Sequence, residues 1–220
     1  MNYKTQKNFF SQAYNLKDKR ISSGYGWPNE PDKELIKDFT DLEEQLPSGR
    51  ILDLGCGQGR HTLYAAKQGY DAYGIDYIQK PLDEAQEEAE KENLTNTHFL
   101  YMDVLKLRFP KNYFDIIIDW SVLDHMQPKD WDTYSANIRS VLKIGGFLLL
   151  CEFSAADKRI KNKSNNFSLD RGSYDHYFRR DEIKSIFAHN FAIISLRNVT
   201  FHQPPNLPHT MVYGILRKIK

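Results

Sequence analysis

The sequence predicts an α/β fold with a doubly wound, mainly parallel sheet, and three observations carry that expectation. Strand-like and helix-like patterns alternate regularly from Arg50 onward, as in sheets whose strands are joined by right-handed crossover helices. Phe114-Asp115-Ile116-Ile117-Ile118-Asp119-Trp120 is an apolar run rich in isoleucine, of the kind seen when both sheet faces are covered. Arg50-Ile51-Leu52-Asp53-Leu54-Gly55-Cys56-Gly57-Gln58-Gly59-Arg60 passes from a buried-strand pattern into a loop too rich in glycine for a strand or helix interior, and a helical pattern follows over 61–68. Such a junction lets the backbone approach a ligand closely and points the free N–H groups of a helix's first turn at it.

Residues 1–30 mix Tyr3, Phe9, Phe10 and Tyr14 with polar groups and end in Ser22-Ser23-Gly24-Tyr25-Gly26-Trp27-Pro28; the first part suits a helix, the second no regular one. Pro31 opens a helix with Leu35, Ile36, Phe39, Leu42 and Leu46 at helical spacing, stopped by Pro47-Ser48-Gly49. Strands follow over 50–54, 71–76, 98–101, 114–120 and 147–151, with an acidic helix over 81–92 and another over 131–142, the latter broken by Gly145-Gly146. Residues 154–178 interrupt the rhythm: they are polar and long, which fits a binding lid or a disordered excursion. A helix over 181–189 and strands over 191–196 and 211–216 end the pattern. The link from Phe201 to Pro208 is too short for a crossover helix and too rich in proline to form one, so the last strand is expected to be antiparallel. No repeat or domain boundary appears. The expectation is one domain over 1–220, with a helical cap or lid at 1–47 and a core at 48–218 carrying the polar insert 154–178.

A chain of 220 residues is long enough for one such domain with a sizeable core. Lys+Arg 30 against Asp+Glu 29 gives a formal net charge of +1, which does not predict a polyanionic partner. Cys56 and Cys151 lack the spacing of a disulfide framework or a metal site and read as reduced thiols. His176, His202 and His209 also lack ligand spacing, so no metal is expected. The N-terminal residues lack the apolar core of a signal peptide. The longest apolar run, Phe147 to Cys151, falls far short of the ~20 residues a membrane span needs. A soluble, cytoplasmic protein without a membrane partner is the expectation.

The glycine loop admits several ligands. Dinucleotide folds want Gly-x-Gly-x-x-Gly, but Gly59 falls one place early and Arg60 occupies the expected position. Asp53, at the carboxyl end of its strand, suits a ligand bearing an ammonium group and would repel a pyrophosphate. A phosphate loop fails for want of Gly-Lys-Ser/Thr.

Asp53-Leu54-Gly55-Cys56-Gly57-Gln58-Gly59 resembles the first motif of class I S-adenosylmethionine-dependent methyltransferases. The resemblance covers about residues 48–218 and implies S-adenosylmethionine as cofactor, without a metal. It implies a seven-stranded Rossmann-like sheet of order 3-2-1-4-5-7-6 with strand seven antiparallel. By the same resemblance Asp76 holds the ribose hydroxyls, with Tyr77 beside it. Asp103 and Val104 flank the adenine, and Trp120 lies near the methionine part. Leu142-Lys143-Ile144-Gly145-Gly146-Phe147 matches the turn before strand five. Gly55, Cys56 and Gly57 join Asp53 in the cofactor set. Arg60 is expected to reach either the cofactor's carboxylate or the acceptor.

Methyl transfer from a sulfonium is an in-line displacement with a good leaving group, so catalytic residues can be few. His125 has a pKa suited to general-base work, with Asp124 beside it in sequence. His125, Glu152, Tyr25, Trp27 and Tyr177 are the candidates for the acceptor side, since an N-terminal aromatic segment commonly closes the site in this family and aromatic rings can surround a sulfonium. Asp175-His176-Tyr177-Phe178, with Arg179-Arg180-Asp181-Glu182-Ile183 after it, resembles tellurite-resistance and thiopurine-type small-molecule methyltransferases. Asn/Asp-Pro-Pro-Tyr, typical of enzymes acting on amide or nucleobase nitrogen, is absent. A small acceptor, methylated at O, N or S, with no nucleic-acid partner, is therefore the leading expectation. A peptide or RNA modifier, supported by Lys158-Arg159-Ile160-Lys161-Asn162-Lys163, and a non-catalytic cofactor-binding partner subunit are the alternatives.

Overall fold

The apolar runs of the sequence become the strands of one sheet in the computed structural model, which describes residues 3–15, 30–43, 45–158, 160, 167–168, 173–201 and 208–220. β1 (Arg50–Leu54), β2 (Asp71–Asp76), β3 (Thr97–Tyr101), β4 (Phe114–Trp120) and β5 (Leu142–Phe153) are parallel, and β8 (Phe191–Phe201) and β9 (His209–Lys218) complete the sheet. Its order is β3-β2-β1-β4-β5-β9-β8. β9 lies antiparallel between β5 and β8, so over the seven sheet strands the order is the expected 3-2-1-4-5-7-6. β6 (Phe167–Ser168) and β7 (Asp175–His176) pair as a short antiparallel ribbon apart from it.

The isoleucine run of β4 is explained by the helices on both faces. On one face Leu52, Leu54, Ile117, Leu148 and Leu150 are sealed by α5 (Trp131–Val141) and α6 (Arg180–Phe187) through Tyr134, Ile138, Ile183 and Phe187. On the other, Ile51, Ile116, Ile118 and Leu149 meet α2 (Lys33–Glu43) and α3 (Arg60–Lys67) through Leu35, Phe39, Leu42, Ala65 and Ala66. Each fully buried Leu, Ile or Phe contributes roughly 1.5–3 kcal/mol, so the central strands are pinned from both sides. α1 (Tyr3–Asn15) and α4 (Gln79–Lys91) pack against each other outside this core.

Three expectations change. β5 begins at Leu142, not Phe147, because Gly145 takes φ +81° and a register shift between Phe114 and Ile116 lets the ladder with β4 continue past the glycines. β8 and β9 run on to Phe201 and back from His209 as one antiparallel ladder, recruiting polar residues by backbone pairing alone. The third concerns the described parts of 154–178, where Ser154, Asp157, Ser173, His176 and Phe178 are all buried and so pack into the fold. Asp157 Oδ2 accepts from Thr210 N at 2.9 Å, and Phe178 N donates to Phe153 O at 2.7 Å. Polar residues can be interior when their hydrogen bonds are met.

The end of β9 locks α5. Lys218, 5% exposed, donates from Nζ to Asn112 Oδ1 at 2.9 Å, Arg139 O at 2.6 Å and Leu142 O at 2.7 Å. An ammonium at a helix C-terminus meets both its unpaired carbonyls and its dipole. Lys218→Met strands these acceptors and is expected to lower stability by about 2–4 kcal/mol. Urea unfolding checks this as a fall in midpoint at unchanged slope.

Candidate functional site

After β1 the chain takes left-handed conformations at Gly55 (φ +57°), Gly57 (φ +54°) and Gly59 (φ +78°) before α3 begins at Arg60. Close approach requires glycine at two of them. A Cβ on Gly55 would stand 2.7 Å from Val122 Cγ2, and one on Gly59 would stand 2.9 Å from both Ala85 and Phe99. Gly59 thus brings the loop tight against α4 and β3, the packing that a dinucleotide motif assigns to its later glycine.

Two carboxylates flank this loop. Asp53 Oδ2 accepts from Thr62 Oγ1 at 2.8 Å. Asp76 accepts from Gly57 N at 3.1 Å and from Ile78 N at 2.8 Å. Both are buried, at 2% and 6% exposure. Burial pushes the Asp53 carboxyl up to about 7 against the pull of Thr62 and Arg60, and the Asp76 carboxyl up to about 6 against the pull of Ile78 and Gly57. Each gains a strong partner if a ligand brings a cation or hydroxyls.

These groups open onto one cavity of about 1240 Å³ at the carboxyl ends of the strands, where open α/β sheets bind ligands. Asp53, Gly55, Cys56, Gly57, Arg60, Asp76, Tyr77, Asp103, Val104 and Trp120 all line it. Asp103 also caps a 3-10 turn, accepting from Leu105 N at 2.9 Å. Cys56 is buried and its thiol is held well above its ordinary value by burial and by Asp53 and Asp76, so it is no thiolate nucleophile.

α1 roofs the cavity with Tyr3, Gln6, Phe10 and Tyr14. Tyr3 Oη donates to Asp130 Oδ2 at 2.7 Å, Gln6 Nε2 donates to His125 O at 2.8 Å, and Lys80 Nζ donates to Tyr14 O at 2.6 Å. The helix is therefore fastened on both sides of the opening. Tyr25 and Trp27, read from the sequence as lid residues, lie outside the described residues.

The acceptor-side residues divide. His125 lines the cavity, with Phe10 and Phe153 edge-on to its ring at 5.0 and 5.7 Å. Its Nδ1 lies 3.0 Å from Asp175 Oδ1 and its Nε2 lies 3.6 Å from Asp124 Oδ1. Burial pulls this imidazole down, but Asp124 and Asp175 prevail and hold it at about 9. Two carboxylates beside the ring favour its protonated form, which disfavours the general-base role expected from the sequence. Asp124 does not line the cavity. It is wholly buried, accepts from Phe153 N at 3.0 Å, and stands behind His125. Glu152 is also wholly buried and away from the cavity, which corrects its placement with the acceptor: Oε2 accepts from Asp124 N at 2.9 Å. Burial, Asp119 and Asp124 raise its carboxyl well above the usual range. Asp119 in turn accepts from Tyr134 Oη and, at 3.1 Å, from Val122 N. Tyr177 stacks on Phe153 at 5.5 Å and does not line the cavity, so it sits one ring behind the surface expected of it.

Sequence reasoning missed several lining residues: Asp32, His61, Phe153, Phe201 and Met211. Tyr3, Phe10 and Tyr14 carried a usable signal, since that spacing puts them on one helix face. Phe201 and Met211 carried none, because only strand pairing brings them beside β5. The basic run 158–163 lies mostly outside the described residues. Among those described, no group of three or more His, Cys, Asp and Glu is placed to hold a metal ion, and no helix is long and apolar enough to cross a membrane.

Comparison with known proteins agrees with this architecture. A family model described as a methyltransferase domain matches residues 51–146. The probable S-adenosyl-L-methionine-dependent methyltransferase TehB of Haemophilus influenzae is 30% identical over 155 residues, 70% of this chain and 48% of that protein. The chain thus spans about half the length of the TehB proteins it matches. Phosphoethanolamine N-methyltransferase 3 of Arabidopsis thaliana is 29% identical over 136 residues, 61% of this chain and 27% of its own. Among solved structures, the Burkholderia thailandensis 1,6-didemethyltoxoflavin-N1-methyltransferase, with 1,6-didemethyltoxoflavin and S-adenosylhomocysteine bound, shares the fold at a TM-score of 0.77. It is 20% identical and covers 99% of this chain and 89% of its own. By sheet order, glycine loop and family match, residues 51–146 are identified as a methyltransferase domain of the kind found in class I S-adenosylmethionine-dependent methyltransferases.

Proposed function

We propose that the protein transfers a methyl group from S-adenosylmethionine to an O, N or S atom of a small molecule by in-line displacement. The observation that carries this reading is the single cavity joining the Asp53–Asp76 pair to the surface around Trp120 and His125, beneath α1. A roofed space of this kind favours a small acceptor over a nucleic-acid strand or a folded protein segment. By their names, one relative acts on phosphoethanolamine, and one structural neighbour holds a small heterocycle.

The residues fit the cofactor. Asp53 is a buried carboxylate next to Arg60 and Thr62, placed to meet an ammonium group. Asp76 keeps lone pairs for ribose hydroxyls beyond its two backbone bonds, and Asp103 with Val104 would bracket the adenine. When bound, S-adenosylmethionine supplies an electrophilic methyl on a sulfonium. The protein's part is to align the acceptor and exclude water, which α1, Trp120 and Phe153 do; such alignment is worth up to ~7–11 kcal/mol. Asp124 and Asp175 favour the protonated form of His125, so in this reading the acceptor atom arrives unprotonated or loses its proton to water. Residues 1–47 act as the cap and the remainder as the catalytic core.

A screen of thiols, phenols, amines and carboxylates for S-adenosylhomocysteine release tests the reading; absence of both turnover and cofactor-product binding would overturn it. Asp76→Ala is expected to weaken S-adenosylhomocysteine by about 10–100-fold in calorimetry.

Asp53 sets a pH dependence. Its folded value of about 7 lies above its unfolded one, so the ligand-free fold prefers the protonated acid, and this group lowers stability as pH rises from about 4 to about 7. The ammonium of the ligand needs the ionised form. Affinity for S-adenosylhomocysteine should therefore rise with pH, by up to about tenfold per unit below about 7, and Asp53→Asn should bind weakly with a flat profile.

A further inference from the structure

Arg60 is the charge for which the cavity supplies no partner. Arginine stays ionised in proteins, and buried charges are ordinarily paired. Arg60 Nη1 is buried without a hydrogen-bond partner, and none of the described carboxylates forms an ion pair with this side chain. Asp32 and Asp53 act on it only through their fields; Asp32 is occupied by Glu34 N at 3.1 Å and Asp53 by Thr62 Oγ1 at 2.8 Å.

Its direction is informative. The guanidinium leaves the glycine loop and lies 5.9 Å from the ring of Trp120, near Cys151, which pairs with Trp120 across β4 and β5. Trp120 and Cys151 belong to one apolar cluster with Phe153, Phe201 and Met211, and those three also line the cavity. Phe201 stands edge-on to Trp120 at 6.2 Å. This compartment joins aromatic and thioether walls to one unneutralised cation. Such walls favour a flat, apolar body, and a guanidinium favours a planar carboxylate.

We propose that Arg60 is a specificity-determining residue that receives a carboxylate carried by the methyl acceptor, an aromatic acid whose ring occupies the Trp120–Phe153–Phe201 compartment. The proposal rests on the methyltransferase reading above. Its test is calorimetric titration of the S-adenosylhomocysteine-saturated protein with benzoate and with its neutral isostere benzamide, in the wild type, Arg60→Met and Arg60→Lys. Benzoate is expected to bind the wild type at least about tenfold more tightly than benzamide. Arg60→Met should abolish the difference and Arg60→Lys should keep part of it; above about pH 8, where Asp53 is ionised, S-adenosylhomocysteine affinity should stay within about threefold in both.

No benzoate preference in the loaded wild type overturns the proposal, and that comparison stands even if Arg60→Met fails to fold. If Arg60→Met weakens S-adenosylhomocysteine by about tenfold or more but leaves 5′-methylthioadenosine, which lacks the amino-acid end, unaffected, the guanidinium serves the cofactor's own carboxylate and the proposal is likewise overturned. A wild type that binds no S-adenosylhomocysteine removes the methyltransferase reading itself, and the proposal with it.

Discussion

The desolvated carboxylate of Asp53 is the constraint around which the rest of the protein is arranged. It stands at the end of the central strand, 2% exposed, and among the described residues Thr62 is its side-chain hydrogen-bond donor. A fold that buries such a group forgoes stability to keep it, because burial disfavours its charge. β1 must be flanked on both edges and both faces to hold it there: β2 and β4 take the edges, α2 and α3 one face, and α5 and α6 the other. Gly55 and Gly59 then let Val122, Ala85 and Phe99 close in around the same point.

A second buried group of acids supports the opposite wall. Asp119, Asp124 and Glu152, all wholly buried, hold the turn after β4 through Val122 N, Asp124 N and Phe153 N. The turn begins at Ser121, whose φ of +59° is uncommon outside glycine. Tyr134 donates to Asp119 from α5, and burial with Asp119 and Asp124 raises the Glu152 carboxyl well above the usual range. Like charges this close cannot all ionise, and their hydrogen bonds from backbone N–H groups make the cluster a scaffold. His125 is carried on that scaffold and held charged by Asp124 and by Asp175 on β7. The return leg of the polar insert is thereby tied to the cavity wall rather than hanging over it.

The cofactor side of the cavity was legible because its residues are local. Asp53, the glycines and Arg60 follow one another on a single strand-loop-helix, and Asp76 and Asp103 each end a strand whose apolar pattern is visible. Sheet order was legible for a related reason, since alternation and a proline-rich final link leave few topologies. The acceptor side was not. Asp124 and Glu152 look like accessible rim residues in sequence, and only the pairing of β4 with β5 and the packing of α5 show that they face inward. His125 looked like a base because a lone imidazole has the right pKa; Asp175, far along the chain, changes that.

What the sequence by itself determined is therefore the set of elements, their order in the sheet and the cluster of cofactor-type residues at the carboxyl ends of β1, β2 and β3. Local pattern and chain connectivity suffice for these. What only the tertiary structure decided is which polar groups are neutralised and which are left wanting a partner. Glu152 and Asp124 each have one oxygen held by a backbone N–H, whereas Arg60 Nη1 at the head of α3 is buried with no hydrogen-bond partner among the described residues. The physical reason is that hydrogen bonding, desolvation and the field of distant charges depend on three-dimensional neighbours, and residue type alone does not specify them.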